Sequence, residues 1–337
     1  MKSAKLTSIK TIEIVEEAIP QIKSGKDVLV EVKAVGICGT DLHIFAEGRA
    51  DVTFPRVMGH ELSGLVKEVG ADVTGVKVGD RVVLDPVFAC GNCKICAAGH
   101  QNVCADVKCY GVQMDGGFQD YIVVEEQHLY TFDPKITFEQ AALAEPFSIG
   151  ANIMSRTATT ADDTVVIIGS GTIGLCIAAV AKGIGAKVLV ADVVDAKLAK
   201  AKAVGADVIV NSKEANLAEA VEAFSPGGAT VVVDAVGVSF LTQQSIDLAC
   251  PTARVAFIGF DAKPVEIVPM VVTKKELTIV GSRMNCNQFP KVMKWLDEGQ
   301  INADLMISRT YSVNDIQKAF EETIANGQEI VKTVITF

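Results

Sequence analysis

Four of the nine cysteines lie within fifteen positions of one another, at a spacing that suits a metal ion. The four are Cys90, Cys93, Cys96 and Cys104. Four thiolates in one loop are soft ligands that leave no vacancy for a substrate, and they describe a closed tetrahedral zinc site. We therefore predict that the segment 90–104 is a lobe that binds structural zinc.

A zinc knuckle that binds nucleic acid is an alternative reading of the same four cysteines. The chain carries 41 acidic and 31 basic residues, a formal net charge of −10, and the lobe lacks interleaved basic and aromatic residues. Both features argue against a nucleic-acid surface. We expect no nucleic-acid partner.

A second group of possible metal ligands is more dispersed. Cys38 opens the segment Cys-Gly-Thr-Asp-Leu-His, and His60 and Glu61 follow about twenty positions later. Taken singly, Cys38 and His60 are more typical of core residues. Together, one thiolate, one imidazole and one carboxylate can hold zinc with a position left open, where the ion acts as a Lewis acid that stabilises an alkoxide.

A glycine-rich turn predicts a dinucleotide site. The apolar run 165–168 leads directly into Gly169, Gly171 and Gly174, which allow a tight turn, a close approach of the pyrophosphate and close packing of the next helix. The next apolar run ends at Asp192, 23 residues after Gly169. A carboxylate there binds ribose hydroxyls and repels a 2′-phosphate.

Two valines rather than arginines follow Asp192, at positions 193 and 194. Nothing adjacent therefore neutralises a 2′-phosphate, and we expect NAD rather than NADP. Lys197, one helical turn further on, is placed either to reach the ribose or to lie on the surface of a helix.

The elements that position these residues differ between the two parts of the chain. Up to about residue 145 the sequence predicts short strands separated by glycine. Thr137 and Gln140 then suggest a capping box. Six apolar runs follow, joined by segments of helical length, and predict a doubly wound parallel sheet. The runs are 165–168, 187–191, 207–210, 230–235, 254–259 and 277–281.

The last fifty residues predict two helices and a final strand, Val-Lys-Thr-Val-Ile-Thr-Phe, that do not extend the alternation. From the pattern alone they form either a third small unit or a return to the first domain. The apolar stretch 164–181 contains three glycines and predicts a strand, a turn and a helix rather than a membrane span. The first ten residues show no signal peptide, so we expect a cytoplasmic protein.

At this point the chain resembles the zinc-containing medium-chain alcohol and polyol dehydrogenases over essentially its whole length. The family's zinc signature matches Gly59-His60-Glu61, followed by Gly64, Gly70 and Val73. The Cys-Gly-Thr-Asp-x-His segment, the four-cysteine lobe and the Gly-Ser-Gly-Thr-Ile-Gly turn fall in the expected order.

The resemblance implies an α/β chain with a GroES-like β-rich catalytic domain and a Rossmann doubly wound parallel sheet. The catalytic domain would comprise residues 1–145 and 284–337, and the NAD-binding domain residues 146–283. It also implies two zinc ions per chain, one structural and one catalytic, and a homodimer or homotetramer.

The same resemblance implies roles for single residues. Cys38 and His60 would hold the catalytic zinc. Thr40 would accept the alcohol proton, which passes through the cofactor ribose to His43. Where simple alcohol dehydrogenases have a second catalytic cysteine, this chain has Glu145, as in sorbitol dehydrogenases. Whether Glu145 or Glu61 contacts the zinc stays open.

The expected substrate is a polyol or a sugar acid, oxidised at a secondary alcohol. Arg49 and Arg283 are candidates to grip a carboxylate, although each is as well explained as a structural contact. Threonine dehydrogenases and general alcohol dehydrogenases are the rival substrate classes, and an inactive zinc- and NAD-binding protein is the rival without activity. The other cysteines and histidines are expected to be structural: Cys109, Cys176, Cys250, Cys286, His100 and His128.

Overall fold

The computed structural model describes residues 1–259 and 263–337, and the chain forms two units with separate sheets. The first unit comprises Met1–Glu145, Asn285–Gly299 and Ile307–Phe337. The second comprises Pro146–Met284 and Gln300–Met306. Residues 300–306 thus pack with the second unit, where Gln300 and Ile301 lie beside Gly183. The resemblance had implied that they belong, with the rest of 284–337, to the catalytic domain.

The strands of the described residues are β1 (Lys2–Ser8), β2 (Thr11–Glu16), β3 (Asp27–Ile37), β4 (Arg56–Val57), β5 (Glu61–Val69), β6 (Arg81–Leu84), β7 (Val87–Phe88), β8 (Lys108–Cys109), β9 (Tyr121–Glu125), β10 (Leu129–Thr131), β11 (Thr164–Ile168), β12 (Lys187–Asp192), β13 (Val208–Asn211), β14 (Ala229–Asp234), β15 (Ala249–Phe257), β16 (Thr278–Gly281), β17 (Ile307–Ser312) and β18 (Lys332–Thr336). The α-helices are α1 (Gly39–Glu47), α2 (Lys94–Ala97), α3 (Phe138–Ala142), α4 (Ala144–Arg156), α5 (Thr172–Ile184), α6 (Asp195–Ala203), α7 (Leu217–Phe224), α8 (Ser239–Asp247), α9 (Pro269–Lys275), α10 (Phe289–Asp297) and α11 (Ile316–Ala325).

Strand β3 is the centre of the first unit. The main sheet has the order β10-β6-β5-β3-β18-β17, and β9 also pairs with β3. Both faces of β3 carry apolar residues such as Val28 and Val35, which are fully buried in one core. The C-terminal β18 pairs with β3 in antiparallel register, Thr333 opposite Ile37. The tail therefore returns to the first unit.

The second unit contains one parallel sheet of six strands, in the order β13-β12-β11-β14-β15-β16. This is the order of a doubly wound dinucleotide-binding fold. The predicted α/β class with a β-rich first part and a parallel second sheet is therefore confirmed. The register places Ile168 opposite Ala191 on one side and Asp234 on the other, so the carboxyl ends of β11, β12 and β14 meet at one edge.

Local signals explain several boundaries. Helix α3 begins after Thr137, whose hydroxyl accepts the N–H of Gln140 while the Gln140 side chain accepts the N–H of Thr137. This is the predicted capping box. Helix α8 ends at Asp247, because Ala249 already pairs with Ala229 in the sheet.

Across residues 1–259 and 263–337, no helix has the length and apolar character needed to cross a membrane.

Candidate active site and metal centres

The four cysteines of the segment 90–104 come together. Three pairs of sulfur atoms are 3.4 to 3.9 Å apart: Cys90–Cys96, Cys93–Cys104 and Cys90–Cys104. Four sulfurs at about 2.3 Å from a tetrahedral zinc ion would be separated by about 3.8 Å. The four thiols are unbridged, so the lobe has the geometry of a zinc site rather than of a disulfide.

The short helix α2 prepares one of these thiols for metal binding. Cys93 precedes α2, and its sulfur accepts the backbone N–H of Cys96 at 3.4 Å. That N–H lowers the pKa of Cys93 to about 7. A thiolate is the form that binds zinc, so the fold stabilises the binding form at this position.

The second group lies where β3 passes into α1 beside the start of β5. Gly36 of β3 is opposite Glu61 of β5, which brings Cys38 next to His60 and Glu61. Their sulfur, nitrogen and oxygen atoms all lie within 4.8 Å of one another. Three ligand types in one small cluster leave room for a fourth ligand, the arrangement of a catalytic rather than a structural metal site.

Asp41 is a buried carboxylate that supports this cluster. It accepts the backbone N–H groups of Cys38 at 2.9 Å and Gly59 at 3.3 Å. Its Oδ1 lies 3.7 Å from Nδ1 of His60, and this nitrogen has no hydrogen-bond partner in the described part of the chain. A carboxylate beside the second nitrogen of a ligating histidine orients the ring. Asp41 belongs to the segment Cys-Gly-Thr-Asp-Leu-His, but the sequence pattern indicated no role for it.

Glu61 forms a buried ion pair with Lys332 of β18. The Lys332 Nζ donates to Oε1 at 2.6 Å and Oε2 at 2.7 Å, and also to the carbonyl oxygen of Ile37 at 3.0 Å. Both side chains are at most 2% exposed. The Glu61 carboxylate is thus close to Cys38 and His60, and its ion pair with Lys332 links it to β18 of the sheet.

Gly36 creates the space for this arrangement. A Cβ atom at position 36 would lie 2.0 Å from Oε2 of Glu61, a separation that real atoms do not reach. Glycine is thus required for the position that Glu61 adopts against β3.

Glu145 is buried in the first turn of α4 and is not part of the cluster of Cys38, His60 and Glu61. Burial, together with the negative charge of Glu61, raises its pKa to about 8, although His60 and Lys332 act in the opposite direction. Burial alone would lower the pKa of His60, but Asp41 and Cys38 raise it well above the usual value. The negative charges of Asp41 and Glu61 contribute to these shifts, and a divalent cation would balance them.

Thr40 and His43 are three residues apart on α1 and differ in exposure. Thr40 is half-buried beside Cys38, whereas the His43 side chain is 57% exposed. His43 Nδ1 lies 3.5 Å from a carboxylate oxygen of Glu47. Of the two, His43 is thus the residue at the surface.

The glycine turn has the geometry that a pyrophosphate needs. Gly169 has φ +99°, a conformation that other residues rarely adopt. A Cβ on Gly174 would lie 2.0 Å from the carbonyl oxygen of Gly169, whereas one on Gly171 would meet open space. Helix α5 begins at Thr172 and directs its free N–H groups towards this space.

Asp192 lies at the end of β12, next to this turn. Its Oδ2 accepts the backbone N–H of Ser170 at 2.6 Å and the Ser170 hydroxyl at 2.7 Å. Its Oδ1 accepts the N–H groups of Val193 at 2.7 Å and Val194 at 3.1 Å. Lys197 is half-buried on α6. The acidic residue is therefore at the predicted edge of the sheet.

The two arginines considered for a carboxylate differ in their surroundings. Arg49 donates through Nε and Nη2 to the two oxygens of Asp51, at 2.6 and 2.5 Å. Its planar fork is thus engaged within the first unit. Arg283 is exposed in the second unit.

Two family models match the chain. One, described as an alcohol dehydrogenase GroES-like domain, matches residues 24–134, and one described as a zinc-binding dehydrogenase matches residues 172–298. Their order is that of the two sheets.

Individual relatives match over nearly their full length. The starvation-sensing protein RspB of Escherichia coli K12 is 37% identical, over 100% of this chain and 99% of its own. The L-galactonate-5-dehydrogenase of the same strain is 33% identical, over 94% and 93%. A crystal structure described as a short chain alcohol dehydrogenase from E. coli CFT073, complexed with NADH, is 36% identical with a TM-score of 0.94, over 100% of this chain and 99% of its own.

Proposed function

The chain belongs to the zinc-containing alcohol dehydrogenase family and is an oxidoreductase, and from this premise we propose that it oxidises a secondary alcohol of a polyol or sugar acid with NAD+. The products are the ketone and NADH. The observation that carries the proposal is the cluster of Cys38, His60 and Glu61, with room for one more ligand, in a chain that also has a glycine turn followed by Asp192.

We assign two zinc ions to each chain. Cys90, Cys93, Cys96 and Cys104 hold the structural ion, and Cys38 and His60 hold the catalytic one together with Glu61 or Glu145. When bound there, zinc supplies a Lewis acid that stabilises an alkoxide. Both Glu61 oxygens accept Nζ of Lys332 and each keeps a second lone pair, so Glu61 and Glu145 are both candidates for the third ligand.

The residues of α1 handle the proton in this proposal. Thr40 of α1 relays the proton of the alcohol: its hydroxyl oxygen accepts that proton as its own hydroxyl proton leaves for the relay that ends at His43. His43 returns the proton to solvent, which its exposure allows. Asp41 keeps the His60 ring oriented.

The cofactor is assigned to the turn of Gly169, Gly171 and Gly174. The backbone N–H groups at the start of α5 bind the pyrophosphate, and Asp192 receives the adenosine ribose hydroxyls. We assign Lys197 of α6 to the same ribose. With Val193 and Val194 beside Asp192, nothing in this segment balances the charge of a 2′-phosphate.

We assign residues 1–145 and 284–337 to the catalytic domain and residues 146–283 to the cofactor domain, with 300–306 packed on the latter. A homodimer or homotetramer is supported by the edge strand β16 and by α9, none of whose residues is buried and whose Met270 is 58% exposed. Nine unbridged cysteines support a reducing compartment, the cytoplasm.

A substrate panel tests the proposal. Purified protein with NAD+ at alkaline pH is offered hexitols, aldonates and L-threonine, and NADH is followed by its absorbance. We expect turnover with a hexitol or an aldonate and none in a Cys38→Ser variant. Turnover only with L-threonine or simple alcohols would assign the rival substrate classes, and NADH binding without turnover on any substrate would indicate an inactive binding protein.

An Arg283 variant distinguishes a sugar-acid substrate from a neutral polyol substrate. Arg283 is exposed in the second unit, and a guanidinium can bind a carboxylate in bidentate fashion. If an aldonate is the substrate, Arg283→Ala should raise its KM at least tenfold. If neutral hexitols are faster than every aldonate and Arg283→Ala leaves KM unchanged, the sugar-acid version is wrong.

A further inference from the structure

The carboxylate of Asp192 already has as many hydrogen-bond donors as it can accept. Ser170 supplies two donors to Oδ2, and Val193 and Val194 supply one each to Oδ1. A carboxylate offers about four lone-pair sites. A ribose hydroxyl that binds to Asp192 must therefore displace one of these donors or share its position.

Only one of the four donors can move independently. Three are backbone N–H groups of the turn after β11 and of the segment after β12, and they are fixed by the backbone. The fourth is the Ser170 hydroxyl, which leaves the carboxylate by a rotation about one side-chain bond. Ser170 itself is fully buried, so solvent does not compete for this hydroxyl.

We propose that the Ser170 hydroxyl competes with the adenosine ribose for Asp192, and thereby weakens NADH binding and speeds NADH release. The proposal rests on the assignment of NAD to this turn. Ser170 is a positioning residue here: it holds the carboxylate in place without cofactor and gives up one hydrogen bond when cofactor binds.

Removal of the hydroxyl should then strengthen binding. One hydrogen bond of ordinary net strength corresponds to about a three- to tenfold change in affinity. We expect Ser170→Ala to lower the Kd of NADH by this factor, measured by fluorescence titration, and to slow NADH dissociation in stopped-flow experiments. Ser170→Ala retains the backbone N–H, so Asp192 stays oriented.

Two controls isolate the ribose contact. Ser245 is another fully buried serine of the second unit, and its hydroxyl donates to the carbonyl oxygen of Thr242 at 2.7 Å, away from Asp192. Ser245→Ala should leave the Kd of NADH unchanged. Reduced nicotinamide mononucleotide lacks the adenosine ribose, so its Kd should be the same for the native protein and Ser170→Ala.

The outcomes are distinct. Equal or weaker NADH binding by Ser170→Ala overturns the competition, as does an equal gain for the mononucleotide, which would indicate a change of the whole turn. A native protein that binds neither ligand overturns the assignment of NAD to this turn as well. Tighter NADH binding with an unchanged mononucleotide supports the proposal.

Discussion

The Nζ of Lys332 lies between the two carboxylate oxygens of Glu61, at 2.6 and 2.7 Å, although 271 residues separate the two in the chain. Both side chains are almost completely buried. A buried charge without its partner is costly, whereas loss of both charges is often tolerated. The pair therefore holds the C-terminal strand to the metal cluster by charge as well as by backbone hydrogen bonds.

We expect Lys332→Met to lower the free energy of unfolding by about 3–5 kcal/mol, because it leaves Glu61 buried without a counter-charge. The double variant Lys332→Met with Glu61→Met should recover most of this loss. Urea denaturation of zinc-loaded protein measures both. A double variant as unstable as the single one would mean that the pair acts through packing and not through charge.

The lobe predicts a loss of metal confined to one site. Cys93→Ser should reduce zinc from two ions per chain to about one and lower the melting temperature, because three thiolates remain for a site that needs four. Elemental analysis and thermal melting are the measurements. Cys250→Ser, outside both metal clusters, is the matched control and should retain both ions. Active native protein with one zinc ion or none would refute the assignment.

The carboxylate of Asp192 leads us to expect a preference for NAD over NADP. We expect kcat/KM with NAD to exceed that with NADP by at least about tenfold, or about 1.4 kcal/mol. Asp192→Gly should narrow this ratio by loss of the contact with the ribose and of the repulsion of a 2′-phosphate. Asp195→Ala removes the same charge three residues away and should leave the ratio unchanged. Equal values for the two cofactors in the native enzyme would contradict the prediction.

Substitutions of Glu145 and Glu61 should lower activity to a similar degree but can differ in their effect on zinc content. Glu145→Ala should lower kcat/KM by about 10–100-fold, whether the carboxylate contacts zinc or orients a ligand. Glu61→Ala should do comparable damage, and it should reduce zinc occupancy further only if Glu61 binds the resting ion. Kinetics and zinc content of both variants decide this, with the exposed Glu68, changed to Ala, as the surface control. Near-native turnover of Glu145→Ala would remove this residue from the site.

Asp85 predicts a dependence of stability on pH. Burial raises its pKa to about 6, while Asn285 and the N–H of Val87 act in the opposite direction. The folded chain thus holds more protons than the unfolded chain between about pH 4 and 6, and stability falls as the pH rises through this range. Asp85→Asn should therefore raise the free energy of unfolding at pH 8 by about 1–3 kcal/mol, and by much less at pH 5.

Urea denaturation at both pH values tests this expectation. The exposed Asp106, changed to Asn, controls for the lost charge in the same unit and should have little effect at either pH. An equal effect of Asp85→Asn at pH 5 and pH 8 would show that the carboxyl group does not titrate in this range.

The sequence could predict those parts of the site whose residues lie close together along the chain. The cysteines of the lobe are at most eight residues from the next one, so the loop that carries them must bring them together. The turn from Gly169 to Gly174 is likewise local, and the alternation of strands with helices predicts where Asp192 ends its strand. The predictions of a parallel sheet and of the family also rest on contiguous motifs, and both were confirmed.

Contacts between distant segments were not predictable in this way. Lys332 stands in an apolar strand, where a lysine suggests an exposed face, and nothing near it indicates Glu61. Ser170 occupies the variable position of a glycine motif, so its hydrogen bond to Asp192 depends on coordinates and not on spacing.

Strand β18, with Lys332 at its start, also sets an order for biosynthesis. A ribosome makes Cys38, His60 and Glu61 early, then the entire second unit, and only afterwards the strand that pairs with β3. The six-stranded parallel sheet can form while the chain is still growing, since its strands end at Gly281. Until Lys332 is made, Glu61 lacks the counter-charge of that lysine and β3 lacks its β18 partner over residues 34–37, so the metal cluster acquires its full surroundings only after translation has passed residue 332.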